Sequence, residues 1–322
     1  MSASAERYRV FGGVLESDLP FPELPAAAAG DPTDWVLRTR TGNPPDADAR
    51  PLGTDEVDQG ISVQLLRTEA GLRLVYSDTG TFDILGQGER IEWYPGSQAT
   101  PETARVDILG RVLAVALHAR GDLTLHASGV AFDRGAIAFI APKHHGKSTT
   151  ALALVRSGAR LVTDDTLGVT LESEPRAIPG VHAVRLWSDS AERVGTDDVE
   201  VDDSGPGGKL LLSDLPEDCL TYETLPLSAL YLLAPVQPGD DVPAVERIRL
   251  QPFESTLSLL GQTKVGALLG RSEAASVLDR VAQIAERVPV YQLRVARDFQ
   301  QLDRAVATLR EWHADLIGAP VA

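Results

Sequence analysis

The chain has 322 residues, 43% of them hydrophobic, with 46 acidic residues against 30 basic ones and a formal net charge of −16. The apolar share is ample for a packed core in one large domain or two, while the charge repels a phosphate backbone over most of the surface and argues against general nucleic-acid binding. Strand-sized apolar runs, a polar N-terminus without a signal peptide's basic start, and a single cysteine, Cys219, speak against a membrane partner, an internal disulfide or a thiolate zinc cluster, so a cytoplasmic protein is expected.

Residues 1–100 read as a β-rich lobe. Strand character appears at 7–15, 35–40, 61–67, 72–76 and 91–94, separated by Gly, Pro and Asp, with a hairpin at 67–72. Stretches 20–32 and 42–53, rich in Pro, Ala, Asp and Gly, read as mobile loops. No repeat and no cluster of chemistry-bearing residues occurs there. A second domain is expected over 101–322. It opens with apolar positions Val106, Leu109, Val112, Leu113, Ala116 and Leu117 at helical spacing, so 101–120 is a helix with one face inward. His118 on this helix reads as an ordinary helix histidine rather than a ligand.

The informative stretch is 135–168, GAIAFIAPKHHGKSTTALALVRSGARLVTDDTLG. It reads as a buried strand (136–140), a tight loop (141–145), a helix (147–157) and a short strand ending in two acids. The loop is a variant Walker A pattern: Gly146, Lys147 and Ser148 supply its ending, and Ala141 stands where the first glycine usually is. Backbone N–H groups and the positive helix start would wrap a polyphosphate. Gly146 lets the backbone approach, Lys147 places a cation between the outer phosphates, and the Ser148 hydroxyl can join the shell of a magnesium ion. ATP and Mg2+ are the implied cofactors, held by Ala141, Pro142, Lys143, His144, His145, Gly146, Lys147, Ser148 and Thr149. A chance glycine turn is the alternative, which the order of strand, loop and helix disfavours. Only four lysines occur, at 143, 147, 209 and 264, two of them in this loop; Lys143 is either a second phosphate cation or a solvated side chain. His144 and His145 are adjacent, a poor arrangement for a shared metal, and either shape the loop or touch the nucleotide.

Thr163-Asp164-Asp165 ends an apolar run about seventeen residues after Lys147. Neighbouring strand residues face opposite ways, so only one acid can point straight at a metal unless the strand breaks there; one can hold magnesium, directly or through water, and the other accept a proton from an attacking hydroxyl. An adjacent Asp pair alone is more often a turn or a helix cap; its place after the loop helix favours function. Further on, 169–172 continues as strand, 176–180 makes a Pro-Gly turn, and Arg185 either meets the transferred phosphoryl group or forms a surface ion pair. Residues 195–208, dense in Asp and Gly, read as a flexible loop leading to Lys209, either a lid or a plain linker. Strands follow at 229–233, 247–250 and 290–295, and helices at 253–269, 272–287 and 299–311.

Leu125-His126-Ala127-Ser128, the strand and loop, Gly158 through Asp165, Pro179-Gly180 with Arg185-Leu186-Trp187, Lys209-Leu210-Leu211 and Val290-Tyr291-Gln292-Leu293 together resemble the HPr-kinase-like P-loop family. The opening Tyr8-Arg9-Val10-Phe11-Gly12 and Ser17-Asp18-Leu19-Pro20 are similar to its small members, some of which are kinases that tailor peptide natural products. The resemblance implies an α/β P-loop core with a mixed sheet and flanking helices beside the β-rich lobe. It also implies a kinase acting on a hydroxyl: a Ser or Thr of a peptide or small protein first, a small-molecule alcohol second. It makes Asp164 and Asp165 the acid/base and metal pair, with His126 beside them. The sequence does not divide these two roles; the base is assigned to Asp164 and the metal to Asp165 with Ser148. The family loop usually has another glycine where His144 stands. A nucleotide-binding ATPase or switch, and a module that binds without catalysis, are the rivals; self-association into a homo-oligomer is left open.

Overall fold

The structure, a computed structural model, describes residues 5–58, 60–142, 145–194, 201–202, 210–212, 215–236, 245–295 and 301–318. The chain divides into two compact units, Met1–Thr124 with Thr263–Arg280, and Leu125–Gln262 with Val281–Ala322. The sequence reading divides the chain at residue 100, where strand-like stretches give way to apolar positions at helical spacing. The helix after that point is tied to the first unit, through Thr79 Oγ1 donating to Asp107 at 2.6 Å and Arg111 to Asp55 at 2.8 Å.

In the first unit, β1 (Glu6–Val10), β2 (Gly13–Ser17), β3 (Trp35–Thr39), β4 (Arg50–Asp58), β5 (Ile61–Thr68), β6 (Gly71–Tyr76), β7 (Gly80–Leu85) and β8 (Arg90–Pro95) form one sheet in the order β1-β2-β3-β8-β7-β6-β5-β4. Alternation puts Leu72, Leu74 and Tyr76 on the buried face of β6. Trp35, Leu37, Leu65, Phe82 and Ile91 complete that core. Three expectations are corrected here. The single strand at 7–15 is a hairpin, because Phe11 and Gly12 take positive φ (47° and 68°) and turn the chain back. The 42–53 loop gives way at Arg50 to β4, an acidic edge strand paired to β5; edge positions tolerate charge, Pro and Gly that propensity counts against a strand. Residues 20–32 are pinned rather than loose, since Phe21 is fully buried and its N–H bonds the Tyr8 hydroxyl at 3.0 Å. The 101–120 helix is present as α1 (Pro101–Asp107), a π turn (Ile108–Val112) and α2 (Leu113–Arg120), capped by Thr100 and ended by a left-handed Gly121.

The chain leaves this unit in β9 (Leu123–Leu125). The second unit contains β10 (Ala127–Phe132), β11 (Gly135–Ile140), α3 (Lys147–Arg156), β12 (Arg160–Thr163), β13 (Leu167–Thr170), β14 (Arg176–Ile178), β15 (Val184–Leu186), α4 (Ser188–Val194), β16 (Val201–Asp202), β17 (Leu210–Leu212), β18 (Leu225–Pro235), β19 (Val245–Arg249) and α5 (Pro252–Leu260). After α6 (Arg271–Arg287), β20 (Val290–Val295) and α7 (Leu302–Trp312) close it. Its main sheet runs β12-β10-β11-β18-β14-β13, with β20 on β18 and β19 on β20; β15, β17 and β16 form a small second sheet. The sheet is mixed: β11 is antiparallel to β10 and parallel to β18, which is parallel to β20. All six residues of β11 are buried, the continuous apolar run of a strand covered on both faces. Ile137 and Phe139 pack with Leu152 and Val155 of α3, with Tyr231 and with Leu293. Burial of each such side chain is worth about 1.5–3 kcal/mol, which anchors the start of α3 on the sheet. The helix expected at 253–269 stops at Leu260, and a short 3-10 turn at Gly266–Leu268 follows. Residues 195–200 and 203–209, which include most of the expected lid and Lys209, lie outside the described residues.

Buried histidines make this unit sensitive to acid. Burial pushes His182 and His313 down to about 4 from an ordinary 6.5. Both are neutral in the fold, so the stability they confer is present above pH 6.5 and lost as pH falls toward 4. In the first unit His118 behaves alike, but burial raises Asp107 to about 6, which removes stability as pH rises to that value. Amide protection of β11 and β18, corrected for intrinsic exchange, should therefore weaken between pH 6.5 and 4.5. Asp107→Asn should strengthen β6 and β7 at pH 7.5 by roughly 1–2 kcal/mol and change little at pH 4.

Candidate active site

Three elements of the second unit deliver the loop and the acids to one place. Gly146 holds a left-handed conformation (φ 83°) as the cap of α3, a position that needs no Cβ and turns the chain from the β11 loop into the helix. The next side chain, Lys147, is buried and donates its ammonium to the carbonyl oxygens of Ala141 at 2.7 Å and Pro142 at 3.3 Å. Ser148 follows, with its Oγ donating to both carboxylate oxygens of Asp164 at 2.9 and 3.0 Å.

Asp164 and Asp165 follow β12 and have contrasting surroundings. Asp164 is 7% exposed. Besides Ser148, its carboxylate accepts from the Ser128 hydroxyl, and from the Arg185 backbone N–H at 3.2 Å. The antiparallel register of β10 on β12, Gly129 opposite Thr163, is what brings Ser128 there. Asp165 has a positive φ of 76°, a conformation that Asp tolerates better than most residues, and it turns the second carboxylate the other way. Its Oδ1 lies 3.0 Å from His126 Nδ1, and its side chain is 41% exposed. His126 sits at the bend between β9 and β10, fixed by its N–H bond to Gln262 O at 2.8 Å.

The acid turn is built tightly. Thr163 Oγ1 donates to Thr166 O at 2.8 Å, and Gly180 N–H to Val162 O at 3.0 Å. A Cβ on Gly180 would lie 2.3 Å from Thr163 Oγ1 and 2.6 Å from Thr166 O, so the Pro179-Gly180 turn needs glycine for close approach.

A cavity of about 110 Å³ is lined by His126, His145, Gly146, Lys147, Ser148, Thr149, Asp164, Asp165 and Arg185, with Leu186 and Trp187 at its wall. It thus gathers nine of the residues expected from sequence. Ala141 and Pro142 border a separate cavity on the other side of the loop. Lys143 and His144 lie outside the described residues. Arg185 reaches Asp164 through its backbone N–H and is one of the residues lining the cavity. Ser128 was not singled out as a site residue; its signal is that it stands two residues after His126 in a run leading into the loop strand. Among the described residues no three His, Cys, Asp or Glu side chains converge as a metal cage, and a magnesium ion carried by phosphates needs only one or two protein oxygens.

No family model matches the chain, and no curated protein matches it. Among solved structures it is similar to the HPr(Ser) kinase/phosphatase from Coxiella burnetii, with 15% sequence identity, a TM-score of 0.31, and coverage of 59% of this chain and 98% of that one. No helix among the described residues is long and apolar enough to cross a membrane.

Gly180→Ala should destabilise the second unit by roughly 1–3 kcal/mol, because the added Cβ meets both the Thr166 carbonyl and the buried Thr163 hydroxyl that is bonded to it. Gly261→Ala, whose Cβ would meet nothing closer than 3.8 Å, should be tolerated; thermal unfolding of the two variants compares them directly.

Proposed function

We propose that the chain is a phosphotransferase that takes ATP with magnesium and moves the terminal phosphoryl group to a hydroxyl. The acceptor is a serine or threonine of a peptide or small protein, or failing that a small-molecule alcohol. The observation that carries this reading is the meeting, in one cavity, of the Gly146-Lys147 loop, the Ser148–Asp164 bond and the His126–Asp165 pair.

The donor set suits the chemistry. Lys147 holds its ammonium against uncharged carbonyl oxygens, and a phosphate oxygen is a stronger, charge-assisted acceptor for it. Ser148 and Asp164 are the residues that would hold magnesium, a hydroxyl and a carboxylate already directed at each other. The chemistry such an ion would supply there is neutralisation of the charge that develops on the phosphoryl group. Asp165, more exposed and paired with His126, is the better placed proton acceptor for an incoming hydroxyl. This geometry supports the reverse of the division drawn from sequence, where the base was assigned to Asp164 and the metal to Asp165. The physical reason is that Asp164 is buried and already accepts from Ser148, Ser128 and the Arg185 N–H, whereas Asp165 turns out toward the cavity. Arg185 lines the same cavity, and its guanidinium is suited to an anionic oxygen on the acceptor side.

Calorimetry and γ-labelled ATP test the assignment. Lys147→Ala should weaken ATP binding at least tenfold, and Asp164→Asn should remove the magnesium dependence of binding. Asp165→Asn should keep binding and lower transfer to a Ser/Thr peptide pool by a hundredfold or more. Undiminished transfer by Asp165→Asn would return the base to Asp164. Label recovered only as inorganic phosphate would make the chain a hydrolase or nucleotide switch.

A further inference from the structure

The loop after β11 has two flanks. On one, β12 ends in the acids. On the other, β18 and β20 run parallel to β11, so their carboxyl ends lie at the same edge of the sheet as the loop. That edge is where open α/β sheets bind ligands. Register aligns Ile140 with Leu232, and Leu232 with Gln292, as one row across the three strands. Ile137, Phe139, Tyr231 and Leu293 face the α3 core, so alternation places this row on the opposite face.

A cavity of about 440 Å³ opens over the row. Small-molecule sites commonly fall in the range of about 300–1,000 Å³. Its apolar wall includes Leu232, Ala234 and Leu250, and it reaches the loop at Ala141 and Pro142, whose carbonyls hold Lys147 Nζ. Its polar lining is Glu254, whose carboxylate accepts from the Gln251 N–H at 3.1 Å, Ser258, Gln262 and Gln292, and among the described residues the two glutamine side-chain amides make no hydrogen bond. An apolar slot with two amides available to donate and accept suits a planar heterocycle that offers both functions on one edge. A glutamine amide pairs in this way with an adenine amino group and its neighbouring ring nitrogen.

We propose that this cavity is the base subsite of the nucleotide, that it takes adenine, and that Gln262 and Gln292 read it while Leu232 and Leu250 flank it. This rests on the phosphate-loop reading above and extends it: the polyphosphate crosses the loop, with its reacting end at the acids and its base over β18 and β20.

The test is calorimetry of the full chain with magnesium and three probes: ATP, GTP and inorganic tripolyphosphate. The wild type should bind ATP at least tenfold more tightly than either of the others. Gln262→Ala with Gln292→Ala should weaken ATP about tenfold and leave tripolyphosphate unchanged. Ala234→Trp, which fills the slot, should do the same, with thermal unfolding confirming that both variants fold. Tripolyphosphate binding that persists while the variants bind ATP like the wild type would overturn the base subsite alone. Absence of any binding by the wild type would overturn the phosphate-loop reading and this inference with it.

Discussion

The carboxylate of Asp164 is the constraint on which the second unit's site depends. A carboxylate this deeply buried needs several donors, and three separate elements supply them: Ser128 from β10, Ser148 from α3 and the Arg185 N–H from β15. Each donor left unmade would cost about 1–3 kcal/mol, so the strand register, the start of the loop helix and the small second sheet are fixed with respect to one another by one group. The same group stands beside the loop that turns at Gly146, which ties the folding of the unit to the chemistry of its cavity.

The neighbouring aspartate lives under different physics. A strand that simply continued would alternate the two acids across the sheet. Instead the chain breaks at Asp165 with a positive φ, and both carboxylates line one cavity in different settings: one enclosed by hydroxyls, the other half open and against an imidazole. Two identical side chains, adjacent in sequence, are made chemically unequal by the backbone that turns them apart and by the hydroxyls and imidazole that each then meets.

Much of this was legible from residue order. The buried strand β11, the turn at Gly146 into α3 and the short strand β12 ahead of the two acids agree with the sequence pattern because each depends on local order: burial on both faces, a left-handed turn and strand termination. The mixed α/β architecture, which the family resemblance implies, is the one observed. What escaped the reading depends on partners distant in sequence. The edge strand β4 looks like a loop until β5 is beside it, and Phe21 looks like part of a Pro-rich connection until Tyr8 bonds it. The different surroundings of Asp164 and Asp165 cannot be read from two identical letters, because they arise from β10 register and from a positive φ. Ser128 stands in a legible run, but its bond to Asp164 depends on the same β10 register.

The division of the chain carries one more consequence. Residues 263–280 cluster with the first unit although they are bracketed by sequence belonging to the second. A module that is a single uninterrupted stretch can be excised, fused or exchanged as a cassette. Here each unit has a gap filled by the other's polypeptide, so a cut anywhere near residue 100 or 124 would strand an excursion from its companions. The two units are inseparable as genetic parts.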